Sequence, residues 1–366
     1  MILLTVNAGS SSIRLAAYTS DQRLLATHHS DTAPAQAKDV LREFIKQHSL
    51  DDIAVVAHRV VHGGDMLVRS CVIDAEVERE IERLSVLAPL HNPPALAWLR
   101  ACLVLVGAHI PQVAVFDTAF YAYLPKVAAT YALPLELNAR LRLRRFGFHG
   151  LAHEAMWRRW CAMRPDVMDS GRVISLQLGA GSSITAVRAG RAVDTSMGFS
   201  PLEGLVMATR SGDIDAGLLL YLQSTEGMSA EQLGRLLNEA SGLLGLSGIS
   251  GDMRILLESN EPAARLAVEI YAYRACKYIG AYLAALGGAD AIVFGGGVGE
   301  NAPAVRAAIL KSMEWAGVDL DAAANETTVS KKGLISRPGS KIEVWVLPVD
   351  EQQILVQEAL AALSRQ

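Results

Sequence analysis

Two stretches of the chain share one pattern and decide the fold: ILLTVNAGSSSIRLAAY at residues 2–18 and VISLQLGAGSSITAV at residues 173–187. In each stretch an apolar, β-prone run leads into a Gly-Ser-Ser turn, and a second apolar run follows. Small hydrogen-bonding residues are typical of tight turns. The pattern therefore predicts two β-hairpins, and as an internal repeat it suggests two halves built on one plan.

Further strands and helices are predicted between and after the hairpins. Short apolar runs predict strands at 53–57, 113–116, 192–194, 290–294 and 344–347. Helical spacing of apolar residues predicts helices at 93–109, 231–237, 265–286 and 352–363. Strands mixed with helices along the chain indicate an α/β fold. The apolar segment 279–298 has the length of a membrane span, but its glycines and Asp290 favour helix, turn, strand and glycine loop instead.

Composition excludes several classes of protein. The 366 residues carry a net charge of −4, whereas nucleic-acid binders have a basic excess. A hydrophobic fraction of 51% with 20% charged residues excludes a disordered chain. The four cysteines are widely spaced, so neither a zinc site nor a disulfide scaffold is expected. We expect a cytoplasmic protein with no nucleic-acid or membrane partner.

A third glycine-rich segment, GGGVGEN at 295–301, follows the strand predicted at 290–294. Glycines permit positive φ and close approach of a ligand to the backbone. A strand, a glycine loop and a following helix form an anion site in many nucleotide-binding proteins. The P-loop and dinucleotide fingerprints are both absent from the sequence, so this segment predicts a different phosphate-binding loop.

Charged residues stand where chemistry is expected. Arg59 is predicted to follow a strand, and its planar fork suits a carboxylate or phosphate. Asp117 ends a strand, as site residues of α/β proteins do, or it caps the next turn. Arg210 lies among small residues and two carboxylates, which indicates either an anion clamp or a plain loop. Glu351 is either a helix N-terminal charge or a Mg²⁺ ligand.

The histidines and an arginine run leave alternatives open. His91 either faces a site or simply precedes Asn92, which would cap the next helix. His149 and His153 could bind a metal if both were helical, although no third ligand is near. The four arginines in 140–145 fit a solvated strand face better than a nucleic-acid patch. Together, three glycine loops and separated arginines, acids and histidines are the equipment of phosphoryl transfer.

The sequence resembles the acetate kinase (acetokinase) family along nearly its whole length. Matching blocks stand in order at 7–12, 58–64, 87–93, 113–120, 146–150, 194–215, 241–254, 277–282 and 290–301. The resemblance implies the two-domain acetate and sugar kinase/Hsp70/actin-like fold, with duplicated ribonuclease H-like domains. It places the first domain at 1–117 plus 352–366 and the second at 118–351. It also implies a homodimer formed mainly by the second domain.

The implied reaction is reversible, direct in-line phosphoryl transfer from ATP to acetate, giving acetyl phosphate and ADP. The implied cofactor is Mg²⁺, with Mn²⁺ as a substitute. By position in the family motifs, Arg59 resembles the residue that holds the acetate carboxylate, and Arg210 the one that stabilises the transition state. Asp117 resembles the acid/base, and His149 and His91 resemble active-site histidines.

Other roles carry over in the same way. Asn7 and Glu351 resemble the metal site. The pocket around the acyl methyl group is represented by Val61, Leu90, Phe148 and Pro201. Positions resembling the nucleotide site are Ser10, Ser12, Arg14, Gln177, Leu178, Gly179, Ala180, Gly181, Asp252, Met253, Arg254, Gly297, Val298, Gly299, Glu300 and Asn301.

Some positions depart from the family pattern. Arg14 replaces a lysine, Tyr121 a histidine and Gly251 a serine, and the hairpin at 177–181 lacks the usual histidine and asparagine. Propionate or butyrate therefore stays open as acceptor, since one methylene changes binding by only about 1–3 kcal/mol. Another donor such as pyrophosphate, a non-catalytic nucleotide-binding protein and a phosphatase are further alternatives.

Overall fold

The computed structural model describes residues 1–9, 12–31 and 33–365, so Ser10 lies outside the described residues. The chain divides into two compact units. Unit 1 comprises Met1–Ala122, Phe148–Leu151 and Asp350–Gln366, and unit 2 comprises Tyr123–Gly147 and Ala152–Val349. The domain bounds implied by the family resemblance differ from these units at 118–122, 148–151 and 350–351, and they stay a prediction.

Twelve strands are formed by the described residues, six in each unit. In chain order they are β1 (Ile2–Ala8), β2 (Ile13–Thr19), β3 (Leu24–Ser30), β4 (Ile53–Val60), β5 (Cys71–Val72), β6 (Gln112–Phe116), β7 (Arg172–Leu178), β8 (Ser182–Arg188), β9 (Arg191–Thr195), β10 (Ala291–Gly295), β11 (Gly333–Leu334) and β12 (Glu343–Val346).

Fifteen α-helices accompany them in the described part of the chain. They are α1 (Ala37–Gln47), α2 (Ala75–Arg83), α3 (Asn92–Val106), α4 (Lys126–Ala129), α5 (Leu135–Leu141), α6 (Gly150–Met163), α7 (Ala216–Thr225), α8 (Ala230–Glu239), α9 (Gly242–Ser247), α10 (Met253–Glu258), α11 (Pro262–Leu286), α12 (Gly296–Asn301), α13 (Pro303–Leu310), α14 (Ala322–Thr327) and α15 (Glu351–Leu363).

The two sheets have the same strand order and the same strand directions. The unit 1 sheet is β3-β2-β1-β4-β6-β5, in which β1, β4 and β6 are parallel and the other neighbours antiparallel. The unit 2 sheet is β9-β8-β7-β10-β12-β11, with β7, β10 and β12 parallel. The predicted α/β class is confirmed, and the predicted repeat corresponds to the hairpins β1-β2 and β7-β8.

Each sheet is covered by an apolar helix face. In unit 1, Leu41 and Phe44 of α1 and Trp98 of α3 belong to one buried apolar cluster with Leu4 and Val6 of β1. Burying one such side chain contributes about 2 kcal/mol. In unit 2, α11 buries positions four residues apart, and these form one stripe because a helix turns once every 3.6 residues. The stripe is Ala267, Tyr271, Ala275 and Ile279.

The apolar segment 279–298 forms the predicted helix, turn and strand. Helix α11 ends at Leu286, Gly287 takes a left-handed conformation with φ of 69°, and β10 follows. Among the helices of the described residues, none is both long and apolar enough to cross a membrane. The four cysteines are free.

Three local predictions are wrong. The segment 296–301 is the short helix α12 rather than a loop, because the Glu300 side chain accepts from the N–H of Gly296 at the start of the helix. His58 and Arg59 lie within β4 rather than after it. The arginines of 140–145 do not form a strand face: α5 ends at Leu141, and Arg142 takes a left-handed φ of 52°.

Candidate active site

An arginine and an aspartate meet at the carboxyl ends of two adjacent parallel strands in unit 1. Arg59 is the penultimate residue of β4, and Asp117 directly follows β6. The register pairs Arg59 with Val115, so the two side chains leave the same edge of the sheet. The Arg59 Nη2 atom donates to Asp117 Oδ2 at 2.6 Å, and Nε donates to the same oxygen at 3.2 Å. The result is a forked ion pair, whose geometry adds specificity as well as energy.

Two more polar groups complete this cluster. Asn7, on β1 beside β4, accepts a hydrogen bond through Oδ1 from Arg59 Nη1 at 3.2 Å. Its Nδ2 donates to Glu351 Oε2 at 2.7 Å, and Glu351 is the first residue of α15. Arg59 Nη1 lies 3.9 Å from the same Glu351 oxygen. One guanidinium therefore faces two carboxyl groups and one amide.

Burial shapes the electrostatics of the cluster. The Asp117 side chain is 0% exposed, and this burial raises its pKa above the ordinary value although Arg59 opposes the shift. Burial by itself would lower the pKa of Arg59, but the Asp117 and Glu351 carboxylates outweigh it, so the pKa is raised. Arg59 consequently stays charged, and Asp117 is the group of this pair that can exchange a proton.

The turn that carries His149 is attached to the same cluster. His149 has a left-handed φ of 57° and is followed by Gly150, the first residue of α6. A side chain at Gly150 would place its Cβ 1.9 Å from the carbonyl oxygen of Asp117, so only glycine fits there. Tyr121 Oη donates to the carbonyl oxygen of Phe148 at 2.8 Å. These contacts fix the His149 backbone beside the turn that begins at Asp117.

The segment that follows β4 is held in place by hydrogen bonds to the Asn92 side chain. The Asn92 side chain accepts from the His62 backbone N–H at 3.1 Å and donates to the His62 carbonyl at 3.0 Å. The predicted capping role of Asn92 is thus wrong: it is the first residue of α3, and His91 is the N-cap, without a side-chain capping bond. His62 Nδ1 accepts from the Gly64 N–H, and its ring packs edge-on against Phe148 at 5.6 Å.

The residues predicted to line the acyl pocket differ in how deeply they are buried, and they do not all belong to the same unit. Val61 and Phe148 are buried in unit 1. Leu90, also in unit 1, is 49% exposed. Pro201 belongs to unit 2 and is half-buried.

Unit 2 contains a cavity of about 680 Å³, within the range of small-molecule sites. Eight of the predicted nucleotide residues line it: Gly179, Ala180, Asp252, Met253, Arg254, Gly297, Val298 and Asn301. Ser330, which the sequence did not indicate, also lines it and donates to Asn301 Oδ1 at 2.5 Å. No local pattern marks Ser330, because it reaches the cavity only through the tertiary fold.

The other predicted nucleotide residues lie elsewhere. Leu178 and Gly299 are buried in the unit 2 interior, and Gly181 forms the turn between β7 and β8. Gln177 is the penultimate residue of β7, and its buried Oε1 has no hydrogen-bond partner among the described residues. The Glu300 carboxylate accepts hydrogen bonds from the backbone N–H groups of Gly296 and Val349. In unit 1, the Ser12 carbonyl accepts from Gly9 N–H, and Arg14 is exposed on β2.

Arg210, in unit 2, donates through Nη1 to the carbonyl oxygen of Pro201 at 3.0 Å. Burial lowers its pKa, and no carboxylate in the described residues forms an ion pair with it. The two neighbouring acids are used structurally: Asp213 accepts from Gly204 N–H and from Tyr278, and Asp215 caps α7. A guanidinium without a carboxylate partner can receive an anionic ligand.

A second arginine network in unit 2 was not predicted. Arg145 donates to Glu203 at 2.5 Å and to the carbonyl oxygens of Thr195 and Ser196. Tyr131 donates to Glu203 at 2.6 Å. The sequence separates these partners by 50 residues or more, so no local motif could reveal the network.

The histidine metal hypothesis is wrong. Helix α6 begins at Gly150, so His149 lies outside it, and both ring nitrogens of His153 bond hydroxyl groups, those of Ser175 at 2.7 Å and Ser183 at 2.8 Å. No cluster of three or more His, Cys, Asp or Glu suited to a metal occurs in the described residues. Asn7 and Glu351 instead offer oxygen donors, and a hard cation with few protein carboxylates and several waters or phosphates fits that set.

Comparisons with known proteins show the family of the chain. The acetokinase family profile matches residues 6–357. An acetate kinase of Chloroherpeton thalassium is 48% identical over 322 residues, which cover 87% of this chain and 77% of the relative. The crystal structure of Porphyromonas gingivalis acetate kinase superposes with a TM-score of 0.90 at 35% identity, covering 99% of both chains. A Francisella tularensis propionate kinase structure gives 0.91 at 33% identity, covering 98% and 99%. The chain belongs to the acetokinase family.

Proposed function

We infer that the protein is an acetate kinase, which transfers a phosphoryl group reversibly between ATP and the carboxylate of acetate. The observation that carries this inference is the family match over nearly the whole chain. The Arg59 cluster supports it chemically, because a planar guanidinium binds a carboxylate through two parallel hydrogen bonds. The unit 2 cavity is of a size that accepts a nucleotide.

Roles for the individual residues follow from charge and position. Phosphoryl transfer depends on positioning and on neutralising the equatorial oxygens. We assign Arg59 to the acetate carboxylate and Arg210, which lacks a carboxylate partner among the described residues, to the transferring phosphoryl group. Asp117, whose pKa burial raises, is the acid/base. His149 and His91 are assigned to the active site as further polar contacts.

Asn7 and Glu351 are the residues we assign to a divalent metal, Mg²⁺ with Mn²⁺ as a substitute. Carboxylate and amide oxygens are its preferred protein ligands. When bound, the ion supplies charge neutralisation of the nucleotide phosphates. Asn7 Nδ2 donates to Glu351 Oε2, so the amide orients that carboxylate.

We also propose a cytoplasmic homodimer. Four free cysteines fit a reducing compartment. The dimer is supported by helix α7, an apolar helix with no buried residue. Exposed apolar surface of this kind is typical of protein–protein interfaces.

Acyl-phosphate formation, trapped with hydroxylamine, tests the function. Wild-type protein with Mg²⁺ should form acetyl phosphate from ATP and acetate, and parallel reactions replace acetate by propionate or butyrate and ATP by pyrophosphate. Arg59→Lys and Arg210→Lys should each lower kcat/KM about 10²-fold or more, since a single ammonium cannot form the fork. Arg42→Lys, at an exposed ion pair with Asp39, is the control and should keep wild-type activity. No product from any donor and acceptor pair would refute the proposal.

A further inference from the structure

One carboxylate joins the corner between β10 and α12 to the segment after β12. Glu300 Oε1 accepts a hydrogen bond from the Gly296 N–H at 2.9 Å and another from the Val349 N–H at 3.0 Å. All three residues belong to unit 2. We propose that Glu300 is a positioning residue that fixes the segment after β12 to the glycine corner of the nucleotide cavity, the turn at residues 295–297. The proposal rests on the proposed function, which gives the cavity its role.

The glycine corner requires an acceptor at this point. Gly296 is the first residue of α12 and has φ of 76°, and a Cβ there would lie 2.6 Å from the Leu178 carbonyl oxygen. N–H groups at the start of a helix have no partner within the helix. The Glu300 carboxylate supplies one for Gly296. Its neighbours Gly297, Val298 and Asn301 line the cavity, so a shift of the corner would move the cavity wall.

The segment after β12 is bonded to the rest of unit 2 at three successive residues. Leu347 N–H donates to the Phe294 carbonyl at 2.9 Å, and Arg159 donates to the Pro348 carbonyl. Val349 N–H donates to Glu300. These successive bonds therefore hold residues 347–349 against β10 and α12 within unit 2.

This role differs from a direct contact between Glu300 and the nucleotide, which the family resemblance implied. One oxygen of the carboxylate already accepts two backbone hydrogen bonds, and a negative charge does not attract phosphate. A glutamine at 300 keeps a carbonyl oxygen that can accept both bonds, whereas an alanine leaves both N–H groups without their acceptor. The two substitutions therefore separate positioning from charge.

The experiment compares Glu300→Ala, Glu300→Gln and the control Glu314→Ala, an exposed glutamate of unit 2. Hydrogen exchange of the Gly296 and Val349 amides should accelerate about tenfold or more in Glu300→Ala and stay near wild type in the other two variants. In steady-state assays, Glu300→Ala should raise the KM for ATP about fivefold or more, because the glycine corner carries part of the cavity wall. The KM for acetate should change less than about twofold.

Wild-type exchange and wild-type constants in Glu300→Ala would overturn the proposal. So would faster exchange without a change in the KM for ATP, or a Glu300→Gln variant as impaired as the alanine variant. A parallel rise in the KM for acetate would show general loss of structure rather than positioning. Failure of the proposed function is recognised separately, because the wild-type protein would then form no acyl phosphate with any donor and acceptor.

Discussion

Arg59 faces two carboxyl groups and one amide, and this excess of acidic groups over one positive charge determines whether the cluster binds a proton or a cation. A single guanidinium cannot neutralise both Asp117 and Glu351 when both are ionised, so the site favours either a proton on Asp117 or an added cation. Burial of Asp117 favours the proton. The oxygen donors of Asn7 and Glu351 favour the cation. Removing Arg59 entirely would leave a buried acid unpaired, a change that costs about 3–5 kcal/mol of stability.

Two buried histidines in unit 1 predict acid sensitivity. Burial lowers the pKa of both His58 and His62 to about 4, from an ordinary value near 6.5. Above pH 6.5 both are neutral in the folded and unfolded chains, and their contribution does not depend on pH. Between pH 6.5 and 4 the unfolded chain binds protons that the folded chain does not. For each unit by which the pH falls in this range, each histidine lowers the free energy of unfolding by about 1.4 kcal/mol.

The substitution His58→Gln should remove one of these two titrations. His58 Nε2 lies 2.5 Å from Gln112 Oε1, and a glutamine amide can donate to the same oxygen. Urea unfolding at pH 6.5, 5.5 and 4.5 should show a pH slope smaller than that of wild type by about 1.4 kcal/mol per unit. His29→Gln, at an exposed position on β3, should keep the wild-type slope. Equal slopes for all three proteins would contradict the prediction.

At the scale of elements, the start of α6 depends on close contact with the turn after β6. Gly150→Ala would place Cβ 1.9 Å from the Asp117 carbonyl and 2.8 Å from Phe120 Cβ. Overpacking of this kind costs about 1–3 kcal/mol, and relief would require α6 to move away from the turn. We expect a melting temperature lower by several degrees and a kcat lower by about tenfold or more, since Asp117 moves with the turn.

Gly280→Ala in the middle of α11 is the matched control for Gly150→Ala. Nothing lies within 4 Å of the added Cβ at 280, and alanine is the better helix former by about 1 kcal/mol. The control should melt at or slightly above the wild-type temperature and retain full activity. A Gly150→Ala protein that matched it would show that the contact is not required.

The hairpins and the glycine corner show what local sequence can predict. Apolar runs joined by Gly-Ser-Ser turns predicted β1-β2 and β7-β8 correctly, because neighbouring residues determine a hairpin. The same reasoning predicted a loop at 296–301, where glycine disfavours a helix in isolation. There the Glu300 carboxylate accepts from the Gly296 N–H at the helix start and from the Val349 N–H, a tertiary contact that no local pattern contains.

The candidate site likewise combines residues that the sequence could indicate with contacts that only the tertiary fold forms. The residue types at the strand ends, Arg59 and Asp117, could be selected from the sequence. Their ion pair at 2.6 Å depends on the register of β4 against β6, which joins residues 58 positions apart. The same limit applies to Ser330, which reaches Asn301 only in the folded chain. Roles assigned to these residues stay predictions until the variants are measured.

The two units share one sheet topology, but the helices α6 and α15 each belong mainly to the unit whose sheet they do not follow in the chain. In both sheets, three antiparallel strands share their first strand with a run of three parallel strands, and a sixth, antiparallel strand forms the far edge. Helix α6 follows the last strand of the first sheet but lies mostly in unit 2, whereas α15 follows the last strand of the second sheet and lies in unit 1. The chain therefore crosses between the units repeatedly, at 122–123, 147–148, 151–152 and 349–350. The last of these crossings directly precedes Asp350 and Glu351, the N-cap and the first residue of α15.

The last prediction concerns assembly. Helix α7 buries none of its ten residues, and Leu220 and Tyr221 are 66% and 53% exposed. A stable dimer buries about 1,000 Å² or more of surface, largely apolar at its centre. Sedimentation should show a wild-type dimer, and Leu220→Asp should shift it to monomer at micromolar concentration, because a desolvated carboxylate is costly. Val104→Asp, on α3 in unit 1 and 65% exposed, is the matched control and should stay dimeric. A dimer unaffected by Leu220→Asp, or a monomeric wild type, would contradict an interface at α7.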